Sequence, residues 1–215
     1  MNLSIECFQC GPLEENCYLI WSKTGEKRCW LIDCGAFLPI EVERIVRFIE
    51  EKGLKLKKHL LTHGHFDHIF GAQAIFERFG IGPSMLEEEL TTYTSAPDLM
   101  RMLMPVEWEL STPPVQEILT KRQTMQLDEE GKICFHIIQT PGHTPGGCCY
   151  YCETEGILIS GDTMFQHSCG RTDFPGGSER AMRESLTRLL ELPEGTRVLP
   201  GHGPSTTIGE EQAWL

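Results

Sequence analysis

No apolar run in this chain approaches the length of a membrane span, and Glu6, Glu14 and Glu15 interrupt the N-terminal stretch where a secretory signal would need a basic start and an unbroken apolar core. A cytoplasmic protein without a membrane partner is expected. Basic residues are also scarce: 19 Lys and Arg, scattered rather than gathered into a stripe, leave a net charge of -12. Such a surface repels phosphate backbones, so nucleic acid is not the expected partner. No linker and no internal repeat divides the sequence, and residues 1–215 are expected to form one domain, as a monomer or small homo-oligomer. Nor is a disulfide scaffold required. Ten cysteines lie in a chain whose 40% apolar content supports an ordinary core, so reduced thiols are expected. Cys7-x-x-Cys10 and Cys149-x-x-Cys152 have redox or zinc spacing, but both sit in strand-like surroundings without the helix start that acidifies a redox thiol. They read as strand-core cysteines.

Among the elements that are present, Leu3 to Phe8, Cys17 to Trp21 and Arg28 to Ile32 read as short strands, the last ending at Asp33-Cys34-Gly35. Val42, Ile45, Val46 and Ile49 then recur at helical spacing between Pro39 and Gly53. Lys57 to Leu61 forms a strand, and a helix over about Ile69 to Phe79 follows. Met85, Met100, Met102 and Met104 lie among Leu, Pro97 and Pro105, a texture that suits either core or the wall of a pocket, fixed or mobile, over residues 85–108. Strands resume at Ile133 to Ile138, Gly147 to Tyr151 and Gly156 to Ser160. Met182, Leu186, Leu189 and Leu190 mark a helix, and Thr196 to Leu199 a last strand. Strand blocks mixed with helices along both halves indicate two sheets packed face to face with helices outside.

The stretch THGHFDH, residues 62 to 68, gathers three histidines and an aspartate directly after a strand. So short a backbone cannot close four ligands around one ion, so the remaining ligands are sought where other strands run into Gly- or Pro-rich turns. Three places qualify: His143 in PGHTPG, Asp162 in SGDT and His202 in PGHGP. His59, His136 and His167 lie outside these turns. Seven ligands suffice for two ions if one carboxylate bridges. His63, His65 and His143 would form one set, Asp67, His68 and His202 the other, and Asp162 would bridge. Imidazole and carboxylate without thiolate suit two divalent cations, Zn ahead of Fe or Mn.

The motifs THGHFDH, PGHTPG, ISGDTMF, GRTDFPGGS and PGHGP, in this order and spacing, resemble the metallo-β-lactamase superfamily, and within it the single-domain glyoxalase II-like branch of hydroxyacylglutathione hydrolase-like enzymes. The resemblance runs from about Asn16 to Gly209. It implies an α/β fold, an αββα sandwich of two mixed β-sheets flanked by helices, with both metals at one edge. Two departures bear on substrate. The sequence has no room after Leu215 for the helical region that grips glutathione in two-domain glyoxalase II enzymes. It also reads Gly209 to Leu215 where short relatives often carry a His and an Asn-Pro pair.

Two cations roughly 3.5 to 4 Å apart can share a water, lower its pKa towards neutrality and present hydroxide to an acyl carbon. Asp67, a ligand beside the bridge, is placed to orient that hydroxide and accept its proton. The motifs offer no obvious general acid, which fits a small-molecule thioester better than an amide, because a thiolate with a free pKa near 8.5 leaves unaided. Arg171 and Asp173 in GRTDF read as an ion pair fixing the turn, or as a support for Asp67 or the bridging ligand. Cys169 and His167 read as bystanders. The competing reading is a persulfide dioxygenase-like enzyme, since that branch also carries GRTDF and uses a single iron held by two His and an Asp. Retention of Asp67, His68 and His202 leans towards hydrolysis. β-Lactamase activity is disfavoured by the missing signal, nuclease activity by acidity, and a purely binding role by the full ligand set.

Overall fold

In the computed structural model, which describes residues 2–104 and 108–214, two mixed sheets lie face to face with helices on their outer surfaces. The first sheet runs in the order β1 (Leu3–Cys10), β2 (Glu15–Ser22), β3 (Arg28–Ile32), β4 (Lys55–Leu60), β5 (Pro83–Leu86) and β6 (Glu117–Leu119). Its first three strands are antiparallel and β3 to β6 are parallel. The second runs β12 (Thr206–Thr207), β11 (Arg197–Pro200), β10 (Ile157–Gly161), β9 (Cys148–Cys152), β8 (Cys134–Gln139) and β7 (Thr124–Gln126), with only β10 and β11 parallel. The helices are α1 (Pro39–Glu51), α2 (Ala72–Phe79), α3 (Leu90–Leu103), α4 (Glu179–Leu189) and α5 (Ile208–Trp214). None is long and apolar enough to cross a membrane.

The period-2 alternation of strands sorts the side chains into layers. Tyr18, Ile20, Trp30 and Ile32 face Phe135, Tyr150, Ile157 and Ile159 across the sandwich interior. Their neighbours Cys17, Leu19, Cys29 and Leu31 point outward onto Ile45, Val46 and Ile49 of α1, each worth about 1.5 to 3 kcal/mol when removed from water. On the other side Tyr151, Leu158 and Val198 meet Met182, Leu186 and Leu189 of α4. The cysteines are free thiols, most of them buried in these layers, and Cys7 alone among them is exposed. Residues three apart on a strand face opposite ways, so neither Cys-x-x-Cys pair can close on one ion.

Helix α1 begins at Pro39, and Glu41 reaches back to accept from the Phe37 and Leu38 amides, both at 2.8 Å. It stops before Gly53, whose φ is 63°. Helix α2 begins three residues later than the sequence pattern indicates. The chain between is pinned to β3, with the Cys34 amide donating to the His68 carbonyl (2.8 Å) and the Gly71 amide to the Cys34 carbonyl (2.9 Å), and residues Phe66–His68 form a 3-10 turn. The methionine-rich stretch divides: Met85 is buried on β5, Met100 is buried on α3, and Met102 is 71% exposed. Pro105 in that stretch and the terminal Leu215 lie outside the described residues.

Candidate metal centre

Each sheet delivers its share of the site from the C-terminal ends of a parallel strand pair. From the first sheet, β3 leads into Asp33 and β4 into the turn carrying Thr62, His63, His65, Asp67 and His68. From the second, β10 ends at Asp162 and β11 at the turn carrying His202, while β8 leads into the turn carrying His143. The register of β10 on β11 slips between Ile159 and Gly161. This bulge re-aims the chain immediately before Asp162, and Gly161 adopts the left-handed φ of 50° that the bend needs. Gly201 is required for a different reason: a Cβ there would collide with Asp162 Oδ1 and lie 2.7 Å from His68 Cε1.

The seven side chains singled out as ligands converge. His63, His65 and His143 present nitrogens within 4.8 Å of one another, as do the ligand atoms of Asp67, His68 and His202. Asp162 stands between the sets, Oδ1 at 3.2 Å from His68 Nε2 and Oδ2 at 3.4 Å from His143 Nε2. Asp67 Oδ2 is 3.3 Å from His202 Nε2. Two atoms each about 2.0 to 2.1 Å from a tetrahedral ion are roughly 3.3 Å apart, so these spacings suit a shared cation. His63 Nε2, His68 Nε2 and Asp162 Oδ1 are buried without a hydrogen-bond partner among the described residues, which is the condition of donor atoms directed at an ion.

The remote ring nitrogens fix which atom faces inward. His143 Nδ1 donates to the Arg171 carbonyl (2.7 Å), His202 Nδ1 to the Leu13 carbonyl (2.9 Å) and His68 Nδ1 to Asp33 Oδ2 (2.9 Å). The Thr62 hydroxyl spends its proton on Asp33 Oδ2 (2.7 Å), and therefore accepts from His63 Nδ1 at 3.1 Å. In all four rings Nδ1 carries a proton, which leaves Nε2 as the nitrogen turned towards the cluster. His65 turns the other way, with Nδ1 2.8 Å from His143 Nε2. Burial, reinforced by the neighbouring imidazoles, holds His63 well below the usual histidine range, and burial brings His65 down to about 3. Burial also acts to lower His68, but Asp162 and Asp33 beside it outweigh this and raise it.

Arg171 and Asp173 form a two-point ion pair with both contacts at 2.6 Å, exposed on the turn, and the guanidinium lies 4.0 Å over the Phe174 ring. The pair's side-chain bonds are to each other, and what this segment gives the cluster is the Arg171 backbone carbonyl. His167 stacks on Trp214 at 4.9 Å, held by its amide to Glu211 (2.9 Å). Neither His167 nor Cys169 lines the cavity of about 400 Å3 over the cluster, whose walls include Leu13, Phe66, Met104, Phe165 and Phe174.

Three supporting residues escape sequence reasoning. Asp33, at a φ of 57°, accepts from the Thr62 amide and hydroxyl and from His68, and so joins β3 to the first motif. Its strand-then-glycine setting satisfies the rule used for the other ligands, so the signal was present. Glu89 is buried and accepts from the Gly64 amide (3.0 Å), the Thr144 hydroxyl (2.9 Å) and the Gly146 amide (2.8 Å), tying the His63/His65 turn to the His143 turn. In a run of three glutamates it reads as a solvated surface. Asn16 Nδ2 donates to the Pro200 and Gly203 carbonyls (3.0 and 2.9 Å), fastening the His202 turn to β2.

A family model described as the metallo-beta-lactamase superfamily matches residues 10–202. The chain is 34% identical over 220 residues to a protein of Haemophilus influenzae named hydroxyacylglutathione hydrolase GloC, covering 98% of this chain and 95% of that one. It is similar to the crystal structure of BLEG-1 B3 metallo-beta-lactamase, with TM-score 0.86, 32% identity and coverage of 98% and 97% of the two chains. It is also similar to TTHA1623 in a di-iron-bound form, with TM-score 0.83, 33% identity and coverage of 97% and 98%.

Proposed function

The chain belongs to the metallo-beta-lactamase superfamily, and from that premise we propose that it is a dinuclear metal-dependent hydrolase that cleaves a thioester, an acyl-glutathione being the first to try. The observation that carries the reading is the pair of three-residue sets facing each other across Asp162. In this reading His63, His65 and His143 would hold one ion and Asp67, His68 and His202 the other, with Asp162 shared between the sets. When bound, the two cations supply Lewis acidity for an acyl oxygen and a water acidified to about neutrality. The chain's own groups do the rest. Asp67, the carboxylate beside the bridge and 3.3 Å from His202, orients the attacking water and accepts its proton. The Nδ1 donations to Arg171, Leu13 and Asp33 keep three of the imidazoles in one tautomer through turnover. Phe66, Phe165 and Phe174 give the cavity above an apolar lining.

The choice of thioester rests on the leaving group. Apart from the imidazoles assigned to the ions, Arg171 is the only side-chain N–H or O–H donor lining that cavity among the described residues, and a guanidinium does not give up its proton near neutral pH. A thiolate needs no general acid, whereas an amide nitrogen does. The test is metal analysis of the purified protein together with turnover of lactoyl and acetyl thioesters, a cephalosporin and glutathione persulfide with oxygen uptake. About two metals per chain with thioester cleavage is expected. One iron with oxygen consumed on the persulfide, or lactam opening that outpaces every thioester, would overturn the proposal.

A further inference from the structure

A second cavity of about 390 Å3 opens on the far side of His65. Helix α3 walls it through Ser95, Leu99 and Met102, and the opposite wall is Pro145, Pro175 and Gly176. His65 lines both this cavity and the one over the ligand cluster, with its ring edge-on to Phe174 at 5.7 Å, so the two spaces meet at a ligand imidazole. Each is within the size range of small-molecule sites. Met102 and Leu103, 71% and 43% exposed, are adjacent residues that line one cavity each. Large apolar side chains left in water at a cavity wall mark a surface that gains from being covered.

Thr91, Thr92, Ser95 and Asp98 are the polar side chains of α3 in the second cavity, and two of them are engaged. Ser95 Oγ donates to the Thr91 carbonyl within its own helix (2.8 Å), and Asp98 pairs with Arg101 at 3.1 Å. Arg171 is the one Lys or Arg lining either cavity among the described residues; it lines the first, with Nε and Nη2 bonded to Asp173, and none lines the second. A carboxylate in the second cavity therefore meets no Lys or Arg among the described residues, in a chain of net charge -12. An apolar chain meets Leu99, Met102 and two prolines.

We infer that the cleft between α3 and the Pro175-Gly176 turn is an acyl-chain site, and that the substrate is the thioester of an apolar acyl group whose carbonyl lies at His65 and whose chain runs under α3. The inference rests on the hydrolase reading for where the carbonyl lies and adds what is attached to it. Burying one methylene is worth about 0.8 kcal/mol, or roughly a fourfold gain in affinity.

The test is calorimetric titration of ketone analogues of acetyl-, butanoyl-, hexanoyl- and octanoyl-N-acetylcysteamine, in which a methylene replaces sulfur, into metal-loaded and chelator-treated protein. Kd is expected to fall about fourfold per added methylene until the cleft is full. Ser95→Trp, which places an indole in the cleft, and Met102→Glu, which charges its wall, should both flatten the series, and both positions are exposed so that folding is spared. A wild-type series of equal Kd, or a slope that both variants leave intact, would overturn the site. Chain-length-dependent binding without cleavage of the matching thioesters would support the site while refuting the thioester reading, so the two failures are distinguishable.

Discussion

His59 is fully buried on β4, and neither ring nitrogen has a hydrogen-bond partner among the described residues. Burial lowers it from 6.5 to about 4. The unfolded chain therefore takes up this proton first, so the group's contribution to stability is complete above pH 6.5 and is lost as pH falls from there towards 4. The loss is about 3 kcal/mol over that window. His59→Leu, of similar volume and with no ring nitrogen to leave unpaired, is expected to be at least as stable at pH 7 and to show a flatter dependence on acid. Urea melts of chelator-treated protein at pH 7 and 4.5 measure this, and parallel losses in the two proteins would refute it. A second expectation concerns Asp33. Asp33→Ala frees His68 Nδ1 and should weaken the second ion by about 10- to 100-fold, leaving a protein that retains one metal at chelator levels where the parent keeps both. Competitive chelator titration reads this directly.

Elements were legible where their patterns were long. Pro39 to Gly53 carries two turns of apolar spacing between a start and a stop signal, and the helix occurs there. The segments β5, β6, β7 and β12 span four residues or fewer, too short for a period to register; β5 and β6 are placed by pairing to strands distant in sequence, β7 and β12 by pairing to the strand next to them along the chain. Helix α5 was unreadable for another reason. Its seven residues are anchored through Glu211, a buried carboxylate that accepts from Thr206 (2.6 Å) and from the His167 amide, and a buried glutamate in an acidic tail looks like a solvated one. Glu89 poses the same difficulty. Because it joins two ligand turns, Glu89→Ala strands two amides and a hydroxyl in the interior and should cost roughly 2 to 4 kcal/mol in chemical denaturation. It should also weaken the ion assigned to His63, His65 and His143 more than the other, the opposite of Asp33→Ala, and equal weakening of both would show that Glu89 acts on the fold alone.

For the molecule as a whole, the sequence reading of two sheets with helices outside matches the observed sandwich, because that layering follows from alternating strands and one-faced helices. The gathering of seven side chains was legible because His63, His65, His143, Asp162 and His202 sit in strand-end turns with Gly or Pro beside them, and Asp67 and His68 follow in the same short motif. What the sequence does not carry is which support holds which imidazole, since a carbonyl acceptor such as that of Arg171 or Leu13 has no residue-type signature. The candidate ligands come from both sheets, so bound ions would cross-link them. Stripping the metals is expected to lower the thermal midpoint, with free Zn at about 100 times Kd restoring roughly 2.7 kcal/mol, and a midpoint insensitive to free Zn would place the ions elsewhere. The buried thiols of the sandwich have a further consequence: at alkaline pH, needed because burial and Glu15 push the Cys7 thiol up to about 11, an alkylating reagent should modify Cys7 first and Cys17, Cys29, Cys149 and Cys152 only when the layers part. Mass shifts collected over time would thus serve as an internal clock for how often each face of the protein comes apart.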